Sequence, residues 1–150
     1  MPQDSKYWPA EDVKACAQED LIPTHHAHLA EANIAYLFVE ELPKTHGKTC
    51  LAKVKKAGPL ERYLGEVDYV MVVNYETWTR LTDAQCRAVI DHELCHCTMR
   101  PDEHGRPRYG LQGHDLEEFT EIVARHGLWR PDVEEFAEAV QQQLPFQEAS

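Results

Sequence analysis

The sequence predicts an α+β fold in a single domain of residues 1–150. A chain of 150 residues with 43% hydrophobic content can bury one core without disulfides. Three strand-like runs precede three segments of helical periodicity, which is the order of an α+β plan. No repeat or linker composition divides the chain. Residues 1–20 are expected to form a loose start, and residues 146–150 are expected to form a tail.

Three strands are predicted in the first half of the chain, after a short helix near residues 11–19 and another helix capped by Thr24. Residues 34–39 are apolar enough for a central strand, and residues 49–55 alternate as a half-exposed strand does. Residues 69–75 are rich in β-branched and aromatic side chains. Together these runs predict a small sheet of three strands or slightly more.

The strongest helix prediction begins at Thr82. Thr82 and Gln85 fit a capping box, and Asp83 places negative charge in the first turn, where the helix dipole favours it. Pro101 disfavours a helical residue before it, so the helix is expected to stop near residues 99–100. Its predicted length is about 17 residues.

The rest of the second half is predicted to hold a loop and two further helices. The glycines and prolines of residues 100–113 predict a loop. Apolar residues at helical spacing predict a helix over residues 115–126, which Gly127 would cap. A last amphipathic helix is predicted to begin at Pro131 and to end at Pro145.

The helix that begins at Thr82 contains the motif His92-Glu93-Leu94-Cys95-His96, an H-E-x-x-H sequence. Four residues are about one helical turn, so the two imidazoles lie on one face and can bind one metal ion. Glu93 projects close to the same side, where it can take a proton from a metal-bound water. The apolar neighbours favour a metal site, because burying such groups without a partner costs several kcal/mol.

A catalytic zinc site usually has three protein ligands and one position open to water. His114 is favoured as the third ligand, because glycines before it let the backbone approach closely and a predicted helix follows it directly. Asp102 stands at the metzincin interval, but Met99 occupies the position at which that pattern has glycine. The candidates that stay open beside His114 are Asp102, His104, Glu117, Glu118 and His126.

Composition restricts the possible partners. The formal net charge of −11 disfavours nucleic-acid binding, because an acidic surface repels phosphates. No apolar stretch approaches the length of a membrane span and no signal-peptide pattern is present, so a cytoplasmic protein is expected. The five cysteines are odd in number and lack the spacing of a disulfide framework, which predicts reduced, mostly buried thiols. The oligomeric state stays open.

Residues 90–96, the loop rich in proline and glycine, and residues 114–119 resemble the phage metallopeptidase family. The resemblance runs from about residue 20 to about residue 130, and the wider pattern is similar to SprT-like and Spartan-type zinc proteases. It implies a minimal zincin-like fold, in which a small sheet packs against the H-E-x-x-H helix. It also implies zinc held by His92, His96 and His114, Glu93 as the base, and a location in the host cytoplasm.

The functional hypothesis is hydrolysis of a protein or peptide by a metal-activated water, with neither nucleic acid nor membrane as a partner. Zincin substrates often pair with an edge strand near the motif helix, and residues 69–75 are the candidate for that strand or its neighbour. Tyr109 is a candidate to stabilise the oxyanion. The alternative is a catalytically silent, zinc-stabilised factor that binds a host protein.

Overall fold

The computed structural model of the protein describes residues 6–143, and its architecture is α+β, as the sequence predicts. The chain divides into two compact units, Met1–Gln112 and Gly113–Ser150. The assignment of residues 1–150 to one domain stays a prediction. The predicted tail of residues 146–150 and the predicted helix stop at Pro145 lie outside the described residues.

The first unit contains a mixed four-stranded sheet in the order β1-β2-β4-β3. Strands β2 and β4 are parallel, and the other two neighbouring pairs are antiparallel. The three predicted strands are confirmed as β2 to β4, although β3 begins three residues later than expected, and β1 has no counterpart in the prediction. The strands are β1 (Tyr7–Pro9), β2 (Ile34–Val39), β3 (Ala52–Lys56) and β4 (Tyr69–Asn74).

The helices of the N-terminal segment pack next to this sheet. Helix α1 (Glu11–Cys16) continues through a π-helical turn (Ala17–Leu21) into α2 (Ile22–His25), and a 3-10 turn (Ala27–Leu29) follows. The short helix expected near residues 11–19 is therefore present. The prediction that Thr24 caps a helix is wrong, because Thr24 lies inside α2.

Two further helices, α3 (Pro59–Gly65) and α4 (Tyr75–Trp78), flank β4 and have no counterpart in the sequence prediction. The start of α3 reads as a turn because of its Gly-Pro pair, yet proline suits the first helical position. The Glu61 carboxylate also accepts a hydrogen bond from the Gly58 N–H (3.1 Å), which satisfies one of the open donors at that end.

The motif helix is α5 (Asp83–Cys95), and His96 is its C-cap. The predicted capping box is confirmed: the Thr82 hydroxyl accepts from the Gln85 N–H (3.1 Å), and the Gln85 side chain accepts from the Thr82 N–H (2.9 Å). The predicted end near residues 99–100 is wrong. The chain turns into a strand at Cys97, four residues before the proline that was expected to stop the helix.

The segment that follows α5 is a β-hairpin of β5 (Cys97–Pro101) and β6 (Pro107–Leu111), so the prediction of a loop over residues 100–113 is wrong for these strands and holds for residues 102–106 and 112–113. The hydroxyl of Tyr69 in β4 explains part of this order. It lies 2.9 Å from the Thr98 carbonyl oxygen and 2.7 Å from that of Gly110, so it connects the sheet to both strands of the hairpin.

The hydrophobic core joins the sheet to α1 and α5. Val13 of α1, Met71 of β4, and Ile90 and Leu94 of α5 have no exposed surface. Full burial of a leucine or isoleucine stabilises the fold by about 1.5–3 kcal/mol. Because Ile90 and Leu94 bracket His92 and Glu93 in sequence, this packing fixes the segment of α5 that carries the motif.

The second unit contains α6 (Thr120–His126) and α7 (Pro131–Gln143). The prediction of a helix from residue 115 is wrong, because α6 begins five residues later. Before α6, the Glu118 carboxylate accepts from the Phe119 N–H (2.9 Å), and the Glu117 carbonyl accepts from Arg130 (3.1 Å). The backbone of residues 117–119 therefore has hydrogen-bond partners without forming a helix.

Among residues 6–143, no helix combines the length and the apolar character that crossing a membrane requires.

Candidate metal centre

His92 and His96 form a pair of imidazoles one turn apart on α5. Their ring centroids are 5.1 Å apart, and the rings meet edge to face. A ring nitrogen of each lies within 4.8 Å of the other. Two nitrogens that each lie about 2.1 Å from one ion are at most about 4 Å apart, so a small side-chain adjustment suffices for shared coordination. His96 keeps helical backbone angles (φ −70°, ψ −20°) although it is the C-cap, which preserves the spacing.

Gln112, at the end of the hairpin, orients His96. The Nδ1 atom of His96 lies 2.7 Å from the Gln112 carbonyl oxygen, and the Gln112 N–H donates to the His96 carbonyl (2.8 Å). The Gln112 side-chain amide also donates to the Cys95 carbonyl (2.7 Å). A histidine that donates Nδ1–H to a carbonyl presents Nε2 to a metal. Sequence reasoning missed Gln112, because its partners lie 16 and 17 residues away.

Glu93 is the buried carboxylate of the site, with 8% of its surface exposed. Burial raises the pKa of Glu93 to about 7, against the opposing effects of the His96 charge and of a hydrogen bond from the Val54 N–H. One carboxylate oxygen of Glu93 lies 3.8 Å from Nε2 of His92. A carboxyl group with a pKa near neutrality can both accept and return a proton, as general acid–base catalysis requires.

The hydrogen bond to Glu93 identifies the strand that borders the site. Strand β3 is an edge strand, whereas β4, which contains most of residues 69–75, is its neighbour. Residues 69–75 were expected to form the edge strand or its neighbour. Strand β4 is the neighbour, and β3 is the edge strand. Sequence alone does not give this order, since β4 follows β3 in the chain but pairs with β2 on its other side.

The backbone of β3 presents alternate residues to the free edge. Bonds from the Asn74 N–H to Leu51 O and from the Ala57 N–H to Asp68 O, both 2.9 Å, mark the two ends of its ladder with β4. Bonded and non-bonded pairs alternate in an antiparallel ladder. The backbone groups of Ala52, Val54 and Lys56 consequently point away from β4, and the Val54 N–H is the one that reaches Glu93.

A cavity of about 350 Å³ opens beside Glu93. It lies between the start of β3 and the outer face of α5. Aliphatic side chains dominate its lining, so it can accept an apolar side chain next to the candidate catalytic residues. The lining residues are Leu51, Ala52, Ala88, Val89, His92 and Glu93.

A second donor group lies on another side of α5. His26, Asp91 and Cys95 place one ligand atom each within 4.8 Å of one another. His26 is buried (6% exposed), and its Nε2 lies 2.6 Å from the Asp91 carboxylate. Asp91, which directly precedes His92 in the sequence, thus pairs with His26.

The five cysteines are reduced, as predicted. The expectation that they are mostly buried is wrong for Cys95, which is exposed, and holds fully only for Cys97. Burial raises the pKa of the Cys97 thiol to about 12, so this thiol stays protonated at neutral pH.

The hairpin tip holds two of the alternative third ligands, and both have other roles there. The Asp102 carboxylate accepts hydrogen bonds from the His104 N–H (2.8 Å) and the Arg106 N–H (2.9 Å), which closes the turn. The His104 side chain is exposed and lies 3.8 Å from the Glu103 carboxylate. Tyr109, the candidate for the oxyanion, packs its ring against Tyr69 with centroids 5.8 Å apart.

The remaining candidates belong to the second unit. His114 is the second residue of that unit, and the expectation that a helix follows it directly is wrong, since α6 starts at Thr120. Glu118 lies 4.0 Å from Arg130. His126 is the last residue of α6, where a basic side chain suits the helix dipole.

Two imidazoles one helical turn apart beside a buried carboxylate are the arrangement expected of the H-E-x-x-H motif. Residues 5–142 match a family model whose description is "Putative phage metallopeptidase". Because the match spans most of the chain, the protein belongs to this family, which confirms the resemblance seen in the motif, and the family's name implies a bound metal. Comparisons with curated proteins and with solved structures find no match.

Proposed function

We propose that the protein is a phage-encoded, zinc-dependent peptidase in which His92, His96 and His114 hold the ion and Glu93 is the general base. The observation that carries this proposal is the buried Glu93 carboxylate beside His92, with a pKa of about 7. A buried carboxylate with a strongly shifted pKa beside potential metal ligands is typical of a catalytic residue.

The donor chemistry fits zinc. Neutral imidazoles are ordinary zinc ligands, and a hydrolytic site keeps three protein ligands with one position for water. The Nδ1 contact of His96 supplies the outer hydrogen bond that a ligating histidine needs.

Chain connectivity supports His114 as the third ligand. Gln112 is bound to His96 and Cys95 by three hydrogen bonds, and His114 follows two residues later. Consecutive Cα atoms are about 3.8 Å apart, so the His114 Cα lies within about 7 Å of the Gln112 Cα. From a Cα atom at that distance, a histidine side chain can reach toward an ion bound by His96.

When bound, zinc supplies a Lewis acid that lowers the pKa of water toward about 7 and polarises a carbonyl. Glu93 accepts the proton of the attacking water and then passes it to the departing amine. Its pKa of about 7 suits both transfers near neutral pH. The Val54 N–H holds the carboxylate in place while it exchanges protons.

The substrate is proposed to lie extended along the free edge of β3. The backbone groups of Ala52 and Lys56 and the Val54 carbonyl point to this edge, so a peptide can pair with them as an added strand while the Val54 N–H stays bound to Glu93. The cavity lined by Leu51, Ala52 and α5 would then receive an apolar side chain next to the cleaved bond.

The test is cleavage of a bacterial lysate by the zinc-loaded protein, with new N-termini read by mass spectrometry. We expect the wild type to generate new termini and Glu93→Gln to reduce them by about 10²–10⁴-fold, because the base is lost. Zinc content should stay the same in the Glu93→Gln variant, since Glu93 is not a ligand.

Glu103→Gln is the matched control, because it makes the same chemical change at an exposed residue of the hairpin tip. It should cleave as the wild type does. Equal cleavage by wild type and Glu93→Gln would refute the assigned base. Absence of new termini in every sample, with zinc bound, would refute the peptidase.

A further inference from the structure

A positively charged cavity lies at the end of β3 opposite the apolar cavity. Its volume is about 120 Å³. It is enclosed by the end of β3, α3, the segment before β4, and β6, all within the first unit. Three cationic side chains and one carboxylate contribute to its lining. The lining residues are Lys56, Arg62, Asp68, Pro107, Arg108 and Tyr109.

The carboxylate in this cavity already has partners. Asp68 lies 3.7 Å from Arg62 and accepts a hydrogen bond from the Asn33 N–H (2.9 Å). Within the described part of the chain, neither Lys56 nor Arg108 has an ion-pair partner within 4.0 Å. The cavity therefore keeps an excess of positive charge in a protein whose formal net charge is −11.

The hairpin increases this excess. Arg100 of β5 stands directly opposite Arg108 of β6 in the antiparallel register. Like charges at directly opposed positions destabilise a strand pair. A bound anion would reduce the repulsion between Arg100 and Arg108 and would so stabilise this strand pair.

The cavity is in register with the candidate active site. Lys56 lies two residues beyond Val54, so their side chains share one face of β3 and their positions are about 7 Å apart. Ala52, two residues before Val54, lines the apolar cavity. A peptide extended along β3 would thus pass the apolar cavity, Glu93 and then the basic cavity at the two-residue interval of strand side chains.

We propose that the substrate is an acidic peptide segment, with an Asp or Glu side chain bound by Lys56 and Arg108 in the basic cavity. This inference rests on the proposed peptidase function. A peptide is favoured over a nucleic acid, because the cavity is small, is one strand repeat from Glu93, and belongs to a strongly acidic chain that repels a polyanion.

The test is peptide binding to the zinc-loaded Glu93→Gln protein, measured by fluorescence anisotropy at physiological salt. Three labelled dodecapeptides differ only in a central block of Glu, Gln or Lys. We expect the Glu peptide to bind roughly tenfold more tightly than the Gln peptide, and the Lys peptide most weakly. The net charge of −11 alone would produce the opposite order, so the expected order reports the local cavity.

Charge-reversal variants locate the effect. Lys56→Glu with Arg108→Glu should reverse the order of the three peptides, and Arg108→Gln alone should reduce the Glu preference. Lys56→Glu alone should weaken the Glu preference, and Lys53→Glu is its matched control, because it makes the same charge change on the opposite face of β3 and should leave the order intact. Circular dichroism establishes that each variant is folded.

The outcomes separate this inference from the proposed function. No preference for the Glu peptide, or a preference that survives in the double variant, overturns the inference, as does tight binding of a single-stranded oligonucleotide instead. Wild-type protein that binds the Glu peptide through Lys56 and Arg108 but cleaves nothing overturns the peptidase and the role of the peptide as substrate, and leaves only the binding site for an acidic peptide standing. Equal cleavage of the Glu and Gln peptides overturns the inference alone.

Discussion

Helix α5 carries two pairs of potential metal donors at identical spacing, His92 with His96 and Asp91 with Cys95. Successive helical residues are about 100° apart, so the two pairs face different sides. On one side, the His96 ring contacts the Gln112 carbonyl, and Glu93 is buried next to the pair. On the other side, Asp91 is already paired with the buried His26 at 2.6 Å.

The spacing of two donor residues on a helix does not by itself define a metal site. Residues from other parts of the chain decide the use of each pair. Gln112 orients an imidazole as a ligand requires, whereas His26 occupies the Asp91 carboxylate that a cation would need. We therefore expect resident zinc at the histidine pair and a structural hydrogen bond between Asp91 and His26 on the other side.

The largest expected effect distinguishes adjacent residues of the two pairs. His96→Ala should reduce bound zinc from about one per chain to near zero and abolish hydrolysis, because a ligand is lost. Cys95→Ala should leave both unchanged. Elemental analysis of the dialysed proteins measures the zinc. Loss of zinc in the Cys95 variant, or two zinc ions per wild-type chain, would show that the side of α5 with Asp91 and Cys95 also binds zinc.

The pH dependence of the metal-free protein tests the environment of Glu93. Burial raises the folded-state pKa of Glu93 to about 7 from its ordinary value of 4.5. The stability that the protonated form contributes is therefore fully present below pH 4.5 and is lost as the pH rises through 7. The loss is about 3 kcal/mol, by the linkage between pKa shifts and stability.

Urea unfolding of the metal-free wild type and Glu93→Gln at pH 5 and pH 8 measures this contribution. The wild type should lose more stability over that interval than the variant, which has no titrating group at residue 93. Parallel losses in the two proteins would contradict the assigned burial of the carboxylate.

A smaller effect is expected from the contact between Asp91 and His26 on the other side of α5. Asp91→Asn should lower the free energy of unfolding by about 1–2 kcal/mol, because a half-exposed charged hydrogen bond to buried His26 is weakened. Zinc content should not change. Asp12→Asn, at an exposed position of α1, is the control for the loss of one carboxylate charge. Zinc loss in the Asp91 variant would show that this side takes part in metal binding.

The smallest effect is expected at the N-cap of α5, the helix that carries both pairs of residues. Thr82→Ala should lower the free energy of unfolding by about 1 kcal/mol, because the capping hydrogen bond to the Gln85 N–H is lost. Chemical denaturation measures it, with Thr24→Ala, an exposed threonine inside α2, as the matched control. The zinc content of the variant should be unaffected, since the cap lies ten residues before His92.

Features set by local interactions could be predicted from the sequence. The capping box at Thr82 and the spacing of His92 and His96 depend on residues three or four positions apart, and the structure contains both. The burial of Glu93 follows from the apolar neighbours Ile90 and Leu94 on the same helix. The predicted start of β3 was too early and the predicted end of α5 was too late, because long-range contacts determine both boundaries.

Features set by distant residues could not be predicted. The hairpin depends on Tyr69, which lies 29 and 41 residues from its two carbonyl partners. Gln112 reaches His96 across the whole hairpin, and Val54 reaches Glu93 from another strand. A linear pattern contains no signal for such pairings, so the glycines and prolines near the hairpin turn indicated a loop instead.

The hairpin between α5 and Gln112 is secured separately at its two ends. Three hydrogen bonds between Gln112 and residues Cys95 and His96 hold its base, and the Asp102 carboxylate closes its turn. With strands of five residues, the turn lies about 17 Å from the base. Changes of loop length at residues 103–105 should therefore be absorbed locally, which makes this tip a suitable place to graft an epitope or a fluorophore without disturbing the proposed zinc ligands His92 and His96.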